Sequence, residues 1–168
     1  MFYELAHLAS ADYFKKIHGS NFSFPPHMHN CFEAVFCLSG NMNITVDNRE
    51  YVLKKGEAVF VFPNQIHSFG EGECSHMLCI FSPRLVAAFF AGHSSSVPAG
   101  SKFTPSKALS EMFINCSEAS SKLFKKGMLY LLCDEFDKAA EYVSADDKTL
   151  LHKIFLFAND NYTMSKIH

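Results

Sequence analysis

His27, His29 and Glu33 occupy positions of one parity in a single short stretch, and that parity narrows what the chain can fold into. In a β-strand, side chains of like parity project from the same face. An extended segment here therefore aims two imidazoles and one carboxylate into one space. Gly40 closes the stretch. A second apolar run follows Gly56, and its end, Phe62-Pro63-Asn64-Gln65-Ile66-His67, brings a third histidine. Three imidazole nitrogens and one carboxylate oxygen suit zinc, nickel, iron or manganese as ligands. With no thiolate among the four, they do not select a soft metal.

The neighbouring residues read as strands. From Cys31 to Leu38 both parities are apolar, with Glu33, Val35 and Cys37 on the histidine side and Phe32, Ala34, Phe36 and Leu38 on the other. Such a strand is covered on both faces. Pro25-Pro26 cannot donate hydrogen bonds and holds the approach extended. Ser39-Gly40-Asn41 predicts a turn, and Met42 to Val46 alternates like a half-buried strand. Asp47 to Glu50 closes a hairpin into Tyr51-Val52-Leu53, and Ala58 to Phe62 and His76 to Phe81 are core strands. Short strands broken by turns at this spacing indicate an all-β barrel or sandwich.

After Phe81 the period changes. Ser82-Pro83 reads as cap and first residue of a short helix ending at Gly92, and His93 to Gly100 as a loop, with a brief strand near Lys102-Phe103. Thr104-Pro105 repeats the cap grammar ahead of Leu109, Met112 and Phe113. A longer helix from Ser121 to Tyr142 carries Phe124, Met128, Leu131, Leu132 and Phe136 along one stripe. A last helix bears Leu150, Leu151, Ile154 and Phe157.

Composition sets outer bounds. A chain of 168 residues makes one domain or one and a half, and 18 phenylalanines supply ample core mass. A net charge of −2 shows no basic bias, so these residues are not expected to bind nucleic acid themselves. The six cysteines form no C-x-x-C pair and lie in apolar runs, which reads as buried reduced thiols and a cytoplasmic protein. The opening residues lack the pattern of a signal peptide, and no uncharged run nears the roughly 20 residues of a membrane span.

The pattern H-x-H-x3-E-x6-G from His27 to Gly40, then G-x10-H from Gly56 to His67, resembles the two sequence boxes of the cupin superfamily. The resemblance implies a cupin-type double-stranded β-barrel, or jelly roll, with metal positions at His27, His29, Glu33 and His67. The chain departs from the family where the upstream glycine is displaced to Gly19 and where Glu71 stands in place of the usual Asn.

A barrel of about one hundred residues followed by amphipathic helices further resembles the sensor half of AraC/XylS-type transcription regulators. That resemblance divides the chain into a cupin sensor barrel (residues 1–104), a helical dimerisation segment (105–145), and a linker with the first helix of a truncated helix-turn-helix domain (146–168). It implies a homodimer joined through Phe124, Met128, Leu131, Leu132 and Phe136, and DNA contact only through a missing C-terminal domain. Without metal, Glu33 among neutral imidazoles forms a polar floor for a small-molecule effector, with Val35 and Phe69 as an apolar wall. The four candidate ligands thus have two readings, a divalent metal site or a polar cluster bonded to water or effector. The alternative to a sensor is a metal-dependent cupin enzyme (a dioxygenase, isomerase or decarboxylase). No catalytic acid or base is placed by the sequence, and a non-enzymatic module is the expectation.

Overall fold

A computed structural model describes residues 2–4 and 12–144. The expected last helix and the whole segment 146–168 lie outside the described residues. Eleven strands and three helices are described: β1 (Phe2–Tyr3), β2 (Phe14–Ser20), β3 (Phe24–Met28), β4 (Phe32–Val46), β5 (Arg49–Lys54), β6 (Ala58–Val61), β7 (His67–Phe69), β8 (Cys74–Phe81), α1 (Ala87–Gly92), β9 (Ser96–Pro98), β10 (Lys102–Phe103), α2 (Lys107–Asn115), α3 (Lys122–Ala139) and β11 (Tyr142–Ser144).

β4 builds the architecture because it belongs to two sheets. Its first half lies between β6 and β8, with β10 and β2 beyond them. Its second half lies between β7 and β5, with β3 and β1 beyond β7. The turn expected at Ser39-Gly40-Asn41 is instead a bend inside this one strand. Pairing with β8 shifts register between Cys37 and Ser39. Gly40 adopts φ +69°, and a Cβ there would stand 1.9 Å from the Glu73 carbonyl oxygen, so only glycine lets the strand cross from one sheet to the other. At the hairpin, Asp47 and Asn48 both take positive φ, the conformation that a two-residue turn requires.

The result is a jelly-roll sandwich whose barrel is not closed, which corrects the expectation of a closed barrel. Among the described residues β5 pairs only with β4 and β10 only with β6. Side chains bridge this gap instead of a backbone ladder: Ser101 N–H donates to Tyr51 Oη at 3.2 Å, and Lys102 Nζ to the Val52 carbonyl at 3.2 Å.

Strand parity sorts the core into two layers, as the two apolar faces of β4 require. Val35, Cys37, Met42 and Ile44 face Val59, Leu78 and Phe69 between the sheets. Phe32, Ala34 and Phe36 face outward into a second layer beneath the helices, with Phe60, Phe81 and Phe136. Phe32 stacks on Phe60 at 5.2 Å and on Phe81 at 5.4 Å, and Phe136 meets Phe60 edge-on at 5.1 Å.

Several helix boundaries differ from the sequence expectation. α2 starts after Ser106 rather than Thr104, because Ser106 Oγ accepts from Leu109 N–H while Ser106 donates its N–H and hydroxyl to the Glu135 carboxylate of α3. At the other end of α2, Lys16 Nζ donates to the carbonyls of Phe113, Ile114 and Cys116. The expected helix to Tyr142 ends at Ala139, and the loop expected over His93 to Gly100 contains β9. Both differences have one cause: Tyr142–Ser144 is the strand that pairs antiparallel with Ser96–Pro98. No helix among the described residues is long and apolar enough to cross a membrane.

The expected dimerisation stripe on α3 is corrected in detail. Met128, Leu132 and Phe136 are buried in the helix-covered layer together with Leu129 and Cys133, so these three cannot face a partner chain. At about 100° per residue Leu131 falls off that face, and it is 46% exposed. Phe124 is 40% exposed and Leu123 82%.

Candidate metal centre

The centre lies where the two sheets meet. His27 is the second-last residue of β3, His67 opens β7, and the two are direct cross-strand partners. Between Phe24↔Phe69 and His27↔His67 the register shifts, so three steps on β3 oppose two on β7. Pro25-Pro26 occupy the extra step, having no N–H for a regular ladder. Glu33 comes from the other sheet, opposite Val61 and Ile80, and His29 from the link between β3 and β4. All four residues are buried, and one ligand atom from each lies within 4.8 Å of the others.

Each ring is anchored through Nδ1 to a carbonyl two residues away. His27 Nδ1 lies 3.0 Å from the Pro25 oxygen, His29 Nδ1 3.1 Å from Cys31 and His67 Nδ1 3.0 Å from Gln65. A carbonyl oxygen only accepts, so each Nδ1 carries a proton and Nε2 is the ring atom turned toward the centre. His29 Nε2 then lies 3.0 Å and His67 Nε2 3.4 Å from the same Glu33 Oε2, which is itself an acceptor. His67 Nε2 is buried without a hydrogen-bond partner. Ring nitrogens and a carboxylate oxygen converging in a buried site are satisfied by a positive charge between them, a proton or a metal cation. The four residues fit a cupin metal site.

The electrostatics follow from this crowding. Burial opposes ionisation of Glu33, but hydrogen bonds with His29 and His67 outweigh it and hold the carboxyl well below the usual range. Burial likewise opposes charge on His67, and the Glu33 carboxylate reverses that, raising its pKa. At His27 the nearby carboxylates do not outweigh burial. Burial first, and the charge of His67 second, push it down to about 4.

A pH dependence follows for the metal-free protein. His27 titrates near 6.5 in an unfolded chain and about 4 in the fold, so its stabilisation is complete above pH 6.5 and is lost as pH falls toward 4. His67 has the opposite sign: its contribution is complete below 6.5 and is lost as pH rises through its raised value. The variant His27→Gln is expected to flatten the acid limb, and the wild type should lose up to about 3 kcal/mol relative to it between pH 6.5 and 4. Urea midpoints across that window measure this, and parallel profiles for the two proteins would contradict it.

The loop that delivers His67 is tied down by residues the sequence reading did not single out. Gln65 Oε1 accepts from Phe62 N–H at 2.8 Å, and Gln65 Nε2 donates to Asp47 Oδ2 at 2.9 Å. Asp47 Oδ1 accepts from Ile66 N–H at 3.0 Å, and Asn64 N–H donates to the His29 carbonyl at 2.8 Å. Asp47 was readable only as a turn residue, because its contact with Gln65 spans eighteen positions.

The stretch carrying these elements has a family signature. Residues 14–81 match the model described as the cupin domain. That match takes in all four candidate ligands and ends with β8.

No curated protein matches the sequence. Among solved structures, the chain is similar to an RmlC-like cupin from Shewanella frigidimarina (20% identity, 42% of this chain and 66% of that one, TM-score 0.37). It is similar to KdgF from a Halomonas species (13% identity, 43% and 70%, TM-score 0.37). A third is the oxalate decarboxylase of Bacillus subtilis, described with Mn(II) centres (13% identity, 43% and 22%, TM-score 0.35).

The residues expected to form the effector wall separate. Glu33 is in the centre. Val35 is instead fully buried between the sheets, paired across strands with Val59 and Leu78, because its inward position on β4 lies one step deeper into packed core. Phe69 packs edge-on to His67 at 6.0 Å and against Phe22 at 5.1 Å, so it walls the histidines while serving the same core.

Proposed function

We propose that this chain is a metal-binding sensor module, the effector-sensing and dimerising part of an AraC-type transcriptional regulator. The observation that carries this reading is the two-sided use of α3. One face is spent on the cupin sheet through Met128, Leu132 and Phe136, while the other leaves Leu123, Phe124 and Leu131 exposed at i, i+1 and i+8. A helix needed only to cover the sheet has no use for an apolar outer face. In this reading a small molecule reaches the centre, its differential affinity for two arrangements of the cupin domain biases the helices, and a second copy of the chain receives the signal through α3. In this reading DNA contact is made by another part of the regulator and not by these residues.

The test is association. Sedimentation of the wild type at micromolar concentration should show a dimer, and Leu123→Asp with Leu131→Asp should give a monomer with an unchanged melting temperature. A monomeric wild type would overturn the dimerising role.

A second reading, a metal-dependent cupin enzyme, is favoured by the completeness of the ligand set. A divalent ion held by His27, His29, Glu33 and His67 would polarise a bound carbonyl as a Lewis acid or, if redox-active, supply electrons to dioxygen. In that case the chain's own task is to orient the three rings through their Nδ1 anchors and to exclude water with Phe22, Phe24 and Phe69. Turnover of carbonyl or carboxylate substrates by the metal-loaded monomer would favour the enzyme over the sensor.

A further inference from the structure

A second carboxylate stands at the edge of the four converging residues. Glu4 follows β1, which runs parallel beside β3 in the register Phe2↔His27 and Tyr3↔Met28. Glu4 N–H donates to the Met28 carbonyl at 2.9 Å, and this pairing carries Glu4 Oε2 to 3.8 Å from His27 Nε2. His27 Nδ1 is committed to the Pro25 carbonyl, so Glu4 approaches the nitrogen that remains for a cation. The Phe2 ring stacks over His27 at 5.8 Å with 23° between planes, and meets Phe24 edge-on at 5.8 Å. The N-terminal strand thus forms a strap along the His27 side. Glu4 is 25% exposed there while Glu33 is 2% exposed, so the two acids approach from the solvent side and from the floor.

We propose that Glu4 is a mouth-side member of the cation site, a second carboxylate that the N-terminal strand brings to His27 at the edge of the four-residue cluster. Two ligand bonds of about 2.1 Å span at most about 4.2 Å, so donors 3.8 Å apart can share one ion. Three neutral imidazoles with two carboxylates balance a divalent charge, where one carboxylate leaves it half balanced. The added oxygen also moves the set toward the harder ions, manganese and iron(II), within the group that the histidines accept.

The inference rests on the metal reading of the centre, and one titration separates the two. Mn(II) is titrated into the full chain, free ion being read by electron paramagnetic resonance, for the wild type, Glu4→Gln, Phe2→Ala and His67→Ala. Melting of the metal-free proteins confirms that each is folded. Glu4→Gln should weaken Mn(II) binding at least about tenfold. Phe2→Ala, which loosens the strap but keeps the carboxylate, should weaken it less, and His67→Ala should weaken it most. If Glu4→Gln stays within about twofold of the wild type, or if Phe2→Ala is equally damaging, Glu4 has no role beyond the strap while the metal reading stands. If the wild type takes up neither Mn(II) nor, in a parallel titration, Zn(II), both fall together; uptake of Zn(II) without Mn(II) overturns the role of Glu4 and leaves the metal reading standing.

Discussion

Replacing His27, His29 and His67 together with alanine should abolish divalent-metal uptake at pH 7, from about one ion per chain to none. The three rings are the only neutral donors in the buried cluster, and each is held by its own carbonyl anchor with Nε2 turned inward. Removing them leaves a single deeply buried carboxylate, Glu33, which cannot retain an ion by itself. The same change removes the groups that hold Glu33 ionised, so its carboxyl should titrate at higher pH in the enlarged centre of the triple variant. Elemental analysis after dialysis measures the stoichiometry. A triple variant with the same metal content as the wild type would refute the site, provided both proteins show the same far-ultraviolet dichroism.

Phe136→Ala should cost about 3–5 kcal/mol and lower the melting temperature by about 10 °C. The ring is 1% exposed and touches three others on and just after β6 and on β10, with centroids 5.1 Å from Phe60, 5.9 Å from Phe62 and 5.3 Å from Phe103. Its removal leaves a void that α3 and two strands must collapse around without help from flexible neighbours. Leu131→Ala on the outer face of the same helix should stay within about 0.5 kcal/mol. Thermal melts of the two variants settle which face of α3 is structural. Equal losses would mean that the helix packs in another rotation.

How the residues divide between sequence and structure can be traced through α3 and the histidines. Phe124, Met128, Leu131, Leu132 and Phe136 read as one apolar stripe at helical spacing. Periodicity finds the helix, and only contact with Phe60 and Phe103 tells which of these residues lie inside. Val35 poses the same problem in a strand: its parity is inward, yet inward means packed core at its depth and open centre at the depth of Glu33. Glu4 was invisible because nothing in its local sequence predicts that β1 will lie beside β3. β9 and β11 were hidden likewise, each too short to show a period and made a strand only by the other.

What the sequence determined by itself is parity: two histidines and an acid on one strand face, a third histidine after a second apolar strand, and a core strand covered on both sides. Those are properties of neighbours, set by the two-residue repeat of extended backbone. What only the tertiary structure decided is which elements meet. It turned β4 through Gly40 into a member of two sheets, left the barrel open between β5 and β10, and set His27 opposite His67 and Glu4 beside His27. Those contacts join residues tens of positions apart, and burial and hydrogen bonding over the whole domain, rather than any local preference, choose among the pairings that parity allows.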